Sequence, residues 1–236
     1  MRRACYLTAK ALQLAAEAVR PGITTFELDS ILADFVIANN AIPAFYDYHG
    51  YPANACISVN EEVIHGIPGN RQLNLGDIVS VDFGVIIDGY YGDAARTFRV
   101  GAVPGDIDKL VKVTEQSFYE ACKILKAGIR LGDVSHAIQT YCESHGFGIV
   151  RDYVGHGIGT NLHEPPQIPN FGKSGTGTVI PAGTTLAIEP MVTMGDYKIR
   201  VLDDGWTVVT RDGLPSAHYE NTVLVTEKGC EILTKI

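Results

Sequence analysis

Residues 79–98 read VSVDFGVIIDGYYGDAARTF. Val79, Val81, Phe83, Val85 and Ile87 alternate with Ser80, Asp82, Gly84 and Ile86, the period of a strand with one buried face. Asp88-Gly89 is a favoured two-residue hairpin turn, and residues 90–98 supply the return strand. With that turn, Gly84 lies opposite Asp93 and Asp82 opposite Ala95. Both aspartates then fall on one face as diagonal neighbours, with Cβ atoms roughly 7–8 Å or less apart. Two carboxylates so placed repel each other, and persist most easily if one is protonated or cations lie between them. The competing reading is a face that is simply solvated.

The chain around this hairpin has 236 residues, 46% of them hydrophobic and 19% charged, which suits a soluble globular protein. Its net charge of −8 argues against a nucleic-acid binder led by a basic face. No apolar run approaches the roughly 20 residues of a membrane span. The opening MRRACYLTAK has no signal-peptide core, and five scattered cysteines without a C-x-x-C pair fit reduced thiols and a cytoplasmic location.

A repeat organises the rest. Residues 4–20 have helical apolar spacing and stop at Pro21-Gly22; a second helix starts with the capping-box pattern Thr24-Thr25-Phe26-Glu27 and ends at Asn39-Asn40. The plan returns about 106 residues later, in a helix from Ile107 that stops at Gly128 and another through Val134–Tyr141 that ends before Gly146. RPGI (20–23) matches KAGI (126–129), and LGDIVSVD (75–82) matches AGTTLAIE (182–189), which sets Asp82 against Glu189. We expect one domain, residues 1–236, built from two related halves of about 1–105 and 106–236, with carboxylates meeting at a shared centre. PNFGKSGTGTVIPAG (169–183) reads as a mobile surface loop.

Two further segments supply polar side chains. GHGIGTNLHEPP (155–166) surrounds His156 with glycines; read alone, GHGIG could equally be a turn with a surface histidine. Glu220 lies on a strand pattern in SAHYENTVLVT (216–226). Asp82, Asp93, Glu189 and Glu220 with His156 make four carboxylates and one imidazole. That donor set suits a pair of Mn, Fe, Co or Zn ions rather than a thiolate site. Two such ions about 3.5–4 Å apart perform hydrolytic chemistry.

VDFGVIIDGYYGDAARTF, GHGIGTNLHEPP, IEPM (188–191) and HYENT (218–222) resemble, in order and spacing, the motifs of the methionine aminopeptidase family, over nearly the whole chain. The resemblance implies the pita-bread fold, of α+β class: a pseudo-two-fold antiparallel sheet core with two helix pairs outside. It implies that Asp82 and Glu220 bridge two divalent metals, Asp93 chelates one, and His156 and Glu189 complete the other site. It makes His65 (in VIHGIP), His163 (in LHEPP) and Glu189 catalytic, with His65 at the scissile amide nitrogen or the leaving amine and His163 on the carbonyl oxygen. It gives Tyr48, Tyr51, Cys56, Leu162 and Trp206 to a methionine pocket that His65 and His163 adjoin. It also implies a monovalent cation near Asn60 and Ser216, nascent polypeptides beginning with methionine as substrate, and the ribosome as a partner; we expect a monomer.

Only 25 residues separate His163 from Glu189, too few for the helical insertion of the longer subtype, so the resemblance is to the short bacterial type I enzyme. Thr160 stands where many relatives have Arg. Relatives usually begin earlier, with a segment leading into the first helix; here that helix starts at MRRA without an N-cap, a loss typically worth about 1 kcal/mol. The rivals are a proline-directed peptidase of the same fold, which would carry an extra N-terminal domain, and an inactive peptide-binding relative, which would lack metal ligands.

Overall fold

The computed structural model describes residues 1–235. Two helix pairs lie outside antiparallel sheets: α1 (Arg2–Ala18) with α2 (Thr25–Ala38), and α3 (Gly105–Ile124) with α4 (Leu131–Ser144). Helix α1 begins and ends two residues before the expected bounds. Val19 is already extended as its C-cap, so Pro21-Gly22 forms the following turn rather than the stop itself. The capping box of α2 forms as its sequence predicts: Thr24 Oγ1 accepts from the Glu27 N–H at 3.1 Å, and the Thr24 N–H donates to Glu27 Oε2 at 2.8 Å.

Residues 79–98 form the predicted hairpin, within strands Ile78–Ile87 and Tyr90–Arg99. Gly84 faces Asp93 and Asp82 faces Ala95. Both faces of this hairpin are covered, which overturns the solvated-face reading; Asp93 is only 4% exposed. One face receives α1, where a Cβ on Gly92 would lie 2.6 Å from the Cys5 nitrogen and 2.7 Å from the Ala4 carbonyl carbon. The helix backbone thus seats directly on the strand beside Asp93. Gly92→Ala is expected to destabilise the fold by about 1–3 kcal/mol, because backbone must move to admit the methyl group; a thermal midpoint equal to wild type would contradict this packing.

The second half of the chain repeats this register. Gly84↔Asp93, Val85↔Gly92 and Ile86↔Tyr91 in the first hairpin correspond to Met191↔His218, Val192↔Ala217 and Thr193↔Ser216. Ile42↔Ile86 and Pro43↔Val85 correspond to Gly148↔Thr193 and Ile149↔Val192. The Gly22 and Gly128 N–H groups donate to Leu73 O and Ile180 O, and both glycines adopt positive φ at matching turns. Apolar clusters repeat too: Leu28, Leu32 and Phe83 under the first helix pair, Phe118, Ile138 and Leu186 under the second.

The second ladder is interrupted, however. Strands Thr185–Ile188 and Met191–Thr193 are separated at Glu189-Pro190, and Ser216–His218 and Asn221–Val225 at Tyr219-Glu220. Proline has no N–H to continue the ladder. Glu220, expected within a strand, instead pairs across to the first hairpin, its N–H donating to Ala95 O at 2.9 Å and the Ala95 N–H to Glu220 O at 3.3 Å. Asp93 and Thr222 make a second link: the Asp93 N–H donates to Thr222 Oγ1 at 3.1 Å, and that hydroxyl donates to Asp93 O at 2.9 Å. The two ladders therefore meet where the carboxylates lie.

The segment 169–183 is anchored rather than free. Asn170 is fully buried, its side chain donating to Glu189 O, and Ser174 and Gly175 donate to Asp133 Oδ1. No helix among the described residues is long and apolar enough to cross a membrane.

Candidate active site

A cleft of about 260 Å³ opens between the ladders and is lined by Asp82, Asp93, His156, Glu189 and Glu220 at its floor. Asp82 and Asp93 come from the hairpin, Glu189 from the proline break and Glu220 from the crossing to Ala95. His156 lies on strand Val154–Gly157, so GHGIG begins as a strand and not as the surface turn that the segment alone allowed. Its glycines admit neighbouring backbone: a Cβ on Gly155 would meet Ala187 O and one on Gly157 would meet Pro165 O. His156 Nδ1 lies 2.9 Å from Gly157 O, which leaves Nε2 facing Asp93 Oδ2 at 3.9 Å and Glu189 Oε1 at 3.7 Å.

Asp93, His156 and Glu220 each present a ligand atom, all within 4.8 Å of one another; Glu189, His218 and Glu220 form a second such group. Asp82 Oδ1, Asp93 Oδ1 and Glu220 Oε1 are buried with no hydrogen-bond partner among the described residues. Unpaired carboxylate oxygens so deep are costly unless cations or protons neutralise them. The donors thus fit divalent metal ions, the cofactor class of this site.

The proton affinities follow from the same burial. Asp82, Glu189 and Glu220 are driven well above the ordinary carboxylate range by burial first and by the Asp93 charge second. Burial lifts Asp93 to about 7. The imidazoles move the other way: burial lowers His65 and His156 to about 4 and His218 to about 3, so each is neutral at neutral pH.

Stability should therefore depend on pH when metal is stripped. Above the ordinary histidine value of about 6.5, histidines are neutral whether folded or unfolded, and unfolded carboxylates are already ionised. The folded metal-free chain alone still holds protons on these acids, so its stability falls as pH rises. The thermal midpoint of chelated protein is expected to drop between roughly pH 6.5 and 8, and divalent metal to restore it most at the upper end. A flat profile would contradict this account.

Above the floor, the cleft walls are Tyr48, Tyr51, Cys56, Leu162 and Trp206, with His65 and His163 beside them. Cys56 faces Asp82 across the sheet. Tyr51 is buried, its hydroxyl donating to Gly66 O at 2.9 Å, and its ring meets Trp206 edge-on at 5.1 Å. Phe45, His49, Ile64, Tyr153 and Val154 complete the lining; nothing in their spacing marked them as cleft positions. His65 has a φ of 58°, an uncommon conformation for a non-glycine residue that turns it into the cleft. His163 stands 4.2 Å from His156, ring to ring, and its Nδ1 lies 2.7 Å from the Tyr48 hydroxyl.

Asn60 and Ser216 are also neighbours, outside this cleft. Ser216 N–H donates to Asn60 O at 2.9 Å and its hydroxyl to Glu62 O at 3.1 Å. The Asn60 side chain is occupied with Asp77 and the Ile78 N–H, which leaves its carbonyl as the oxygen facing Ser216. His218 was absent from the sequence-based ligand set. It is buried, with Nε2 3.5 Å from Glu189 Oε2, and the available signal was its place two residues before Glu220.

Comparison with known proteins identifies the family and the fold. The model of metallopeptidase family M24 matches residues 1–227. A methionine aminopeptidase of Clostridium perfringens is 52% identical over 236 residues, covering 100% of this chain and 95% of its own. The crystal structure of methionine aminopeptidase from Thermotoga maritima has a TM-score of 0.99 at 49% identity, covering 100% of this chain and 95% of that one. The prolidase from Pyrococcus furiosus, at 24% identity and a TM-score of 0.81, shares the fold alone, and this chain covers 62% of it. The fold, the acid-lined cleft and these matches together make this chain a pita-bread member of metallopeptidase family M24, of the bacterial methionine aminopeptidase type.

Proposed function

We propose that this metalloaminopeptidase removes the N-terminal methionine from nascent proteins and peptides whose second residue is small. The observation that carries the reading is a cluster of buried carboxylates and an imidazole under a narrow wall of aromatic and sulfur groups. Such walls suit an unbranched, polarisable thioether. Asp82, Asp93, His156, Glu189 and Glu220 would together hold a pair of divalent ions, with Asp93, His156 and Glu220 close enough to share one of them, rather than Asp93 and His156 serving separate ions. Mn, Fe, Co and Zn all suit the oxygen-rich donor set. When bound, the ions polarise the scissile carbonyl and lower the pKa of the attacking water.

The chain's own groups do the rest. The Tyr48 hydroxyl lies 2.7 Å from His163 Nδ1, and with that hydroxyl as the donor the neutral ring carries its proton on Nε2. That N–H donates to the carbonyl oxygen as negative charge develops there. Glu189 accepts the proton of the attacking water, and His65 guides a proton to the leaving amine. The free α-amino group of the substrate sits among the floor carboxylates, and the second residue meets the cleft mouth.

We further propose a single domain of two related halves, about 1–105 and 106–236, supported by the matching registers. A monovalent cation would be held near Asn60 and Ser216. The protein works as a cytoplasmic monomer that meets its substrates at the ribosome.

A peptide panel tests the substrate: Met-Ala, norleucine-Ala, formyl-Met-Ala, Met-Arg, Leu-Ala and Ala-Pro, each with the same tail. Rapid release is expected from the first two only, since apolar pockets discriminate a methylene-sized change by about 1–3 kcal/mol. Preferred cleavage of Ala-Pro would indicate a proline-directed peptidase. No cleavage under any metal would indicate a peptide-binding relative.

A further inference from the structure

Among the side chains of the cleft floor, His218 has a position but no role in the reaction described above. It is 1% exposed, and its Nε2 has no hydrogen-bond partner among the described residues. Glu189 Oε2 lies 3.5 Å from it, and the other oxygen of Glu189 faces His156 Nε2 at 3.7 Å. Glu189 is thus bracketed by two imidazoles, one to each oxygen.

Backbone register accounts for this placement. His218 pairs with Met191, two residues beyond Glu189, and it lies two residues before Glu220, so all three acid and imidazole groups point to one side. In the first ladder the corresponding pair is Gly84↔Asp93. His218 therefore occupies the position that Asp93 holds in the other half, and stands diagonal to Glu189 as Asp93 stands diagonal to Asp82.

A neutral imidazole has one N–H. With Gly157 O accepting from Nδ1–H of His156, the Nε2 lone pair of that ring is left on the side of Glu189 Oε1, where the two groups would hold a divalent ion. The remaining oxygen of Glu189 needs a donor, because a ligating carboxylate swings between rotamers unless its second oxygen is held. We propose that His218 is a positioning residue of the metal site, whose Nε2–H holds Glu189 through Oε2 and so sets the carboxylate in its ligating orientation. This deepens the proposed function, and rests on Glu189 being a ligand.

The test is calorimetric titration of the full-length, chelated protein with Mn²⁺, comparing wild type, His218→Leu and His218→Gln. Leucine fills the space without a donor, and glutamine retains an N–H. The leucine variant is expected to bind at least one ion roughly 10–100-fold more weakly, the usual effect of losing such a partner. The glutamine variant should stay near wild type, and the metal-free thermal midpoints should show that both fold. Should the leucine variant not fold, nitrogen NMR of histidine-labelled, Zn²⁺-loaded wild type decides, and a protonated Nε2 on His218 is the expected result. Wild-type affinity in the leucine variant overturns the proposal. So does a Co²⁺ absorption spectrum that changes equally in both variants, or a metal-bonded Nε2, since His218 would then be a ligand itself. Glu189→Ala is the control: unchanged Mn²⁺ binding there defeats the ligand reading itself, whereas lost binding with an unaffected leucine variant defeats only the role of His218.

Discussion

Asp93→Asn is expected to leave a folded protein that has lost at least one metal ion and nearly all turnover. The amide has almost the shape of the carboxylate, and the backbone contacts of Asp93 with Thr222 do not involve the side chain. What changes is charge: the floor of the cleft loses one anion from the group Asp93, His156 and Glu220. Hard divalent ions depend on that charge. The metal-free variant should melt no lower than metal-free wild type, because one buried like charge has been removed from beside Asp82, Glu189 and Glu220. Elemental analysis, kcat/KM on Met-Ala-Ser and a chelated melting curve check the three parts. A variant that binds metal and turns over like wild type would show that Asp93 is not a ligand.

His163→Ala is expected to lower kcat by roughly 10²-fold or more, the order found when one oxyanion donor is removed. Metal content should stay near normal, because His163 lies beside His156 without belonging to the floor groups. KM should move less than kcat, since the lost interaction strengthens only as the carbonyl oxygen gains charge. Full kcat, or loss of metal instead, would assign His163 a different role.

The hairpin was readable residue by residue, because a two-residue Asp-Gly turn leaves a single register and alternation then fixes the faces. The five proposed ligands converge for the same reason, as the repeat sets Glu189 against Asp82. Other features escaped because they depend on the opposite ladder. Whether Asp93 faced water or metal was undecided until the second half covered it. Glu220 leaves its strand because its partner is Ala95, more than a hundred residues away, and because Pro190 breaks the ladder beside it. His218 escaped because a histidine in an apolar strand pattern is more often structural, and only register sets it against Glu189. Segment 169–183 looked mobile from its glycines, yet Asp133 and the buried Asn170 hold it through contacts that composition does not report.

The two ladders differ most at their tips. The first turns at Asp88-Gly89; the second runs on through residues 194–215 before returning. That excursion carries strands Ile199–Val201 and Val208–Thr210, docks on Glu62–Ile64 just before His65, and delivers Trp206 to the cleft wall. The buried carboxylates thus come from paired, interlocked strands, whereas Trp206 reaches the cleft wall from an appendage with no counterpart in the other half. Substitutions at Trp206 are therefore a route to new side-chain preferences that leaves the carboxylate-bearing strands untouched, whereas exchange of the whole segment would also disturb the strand that leads to His65.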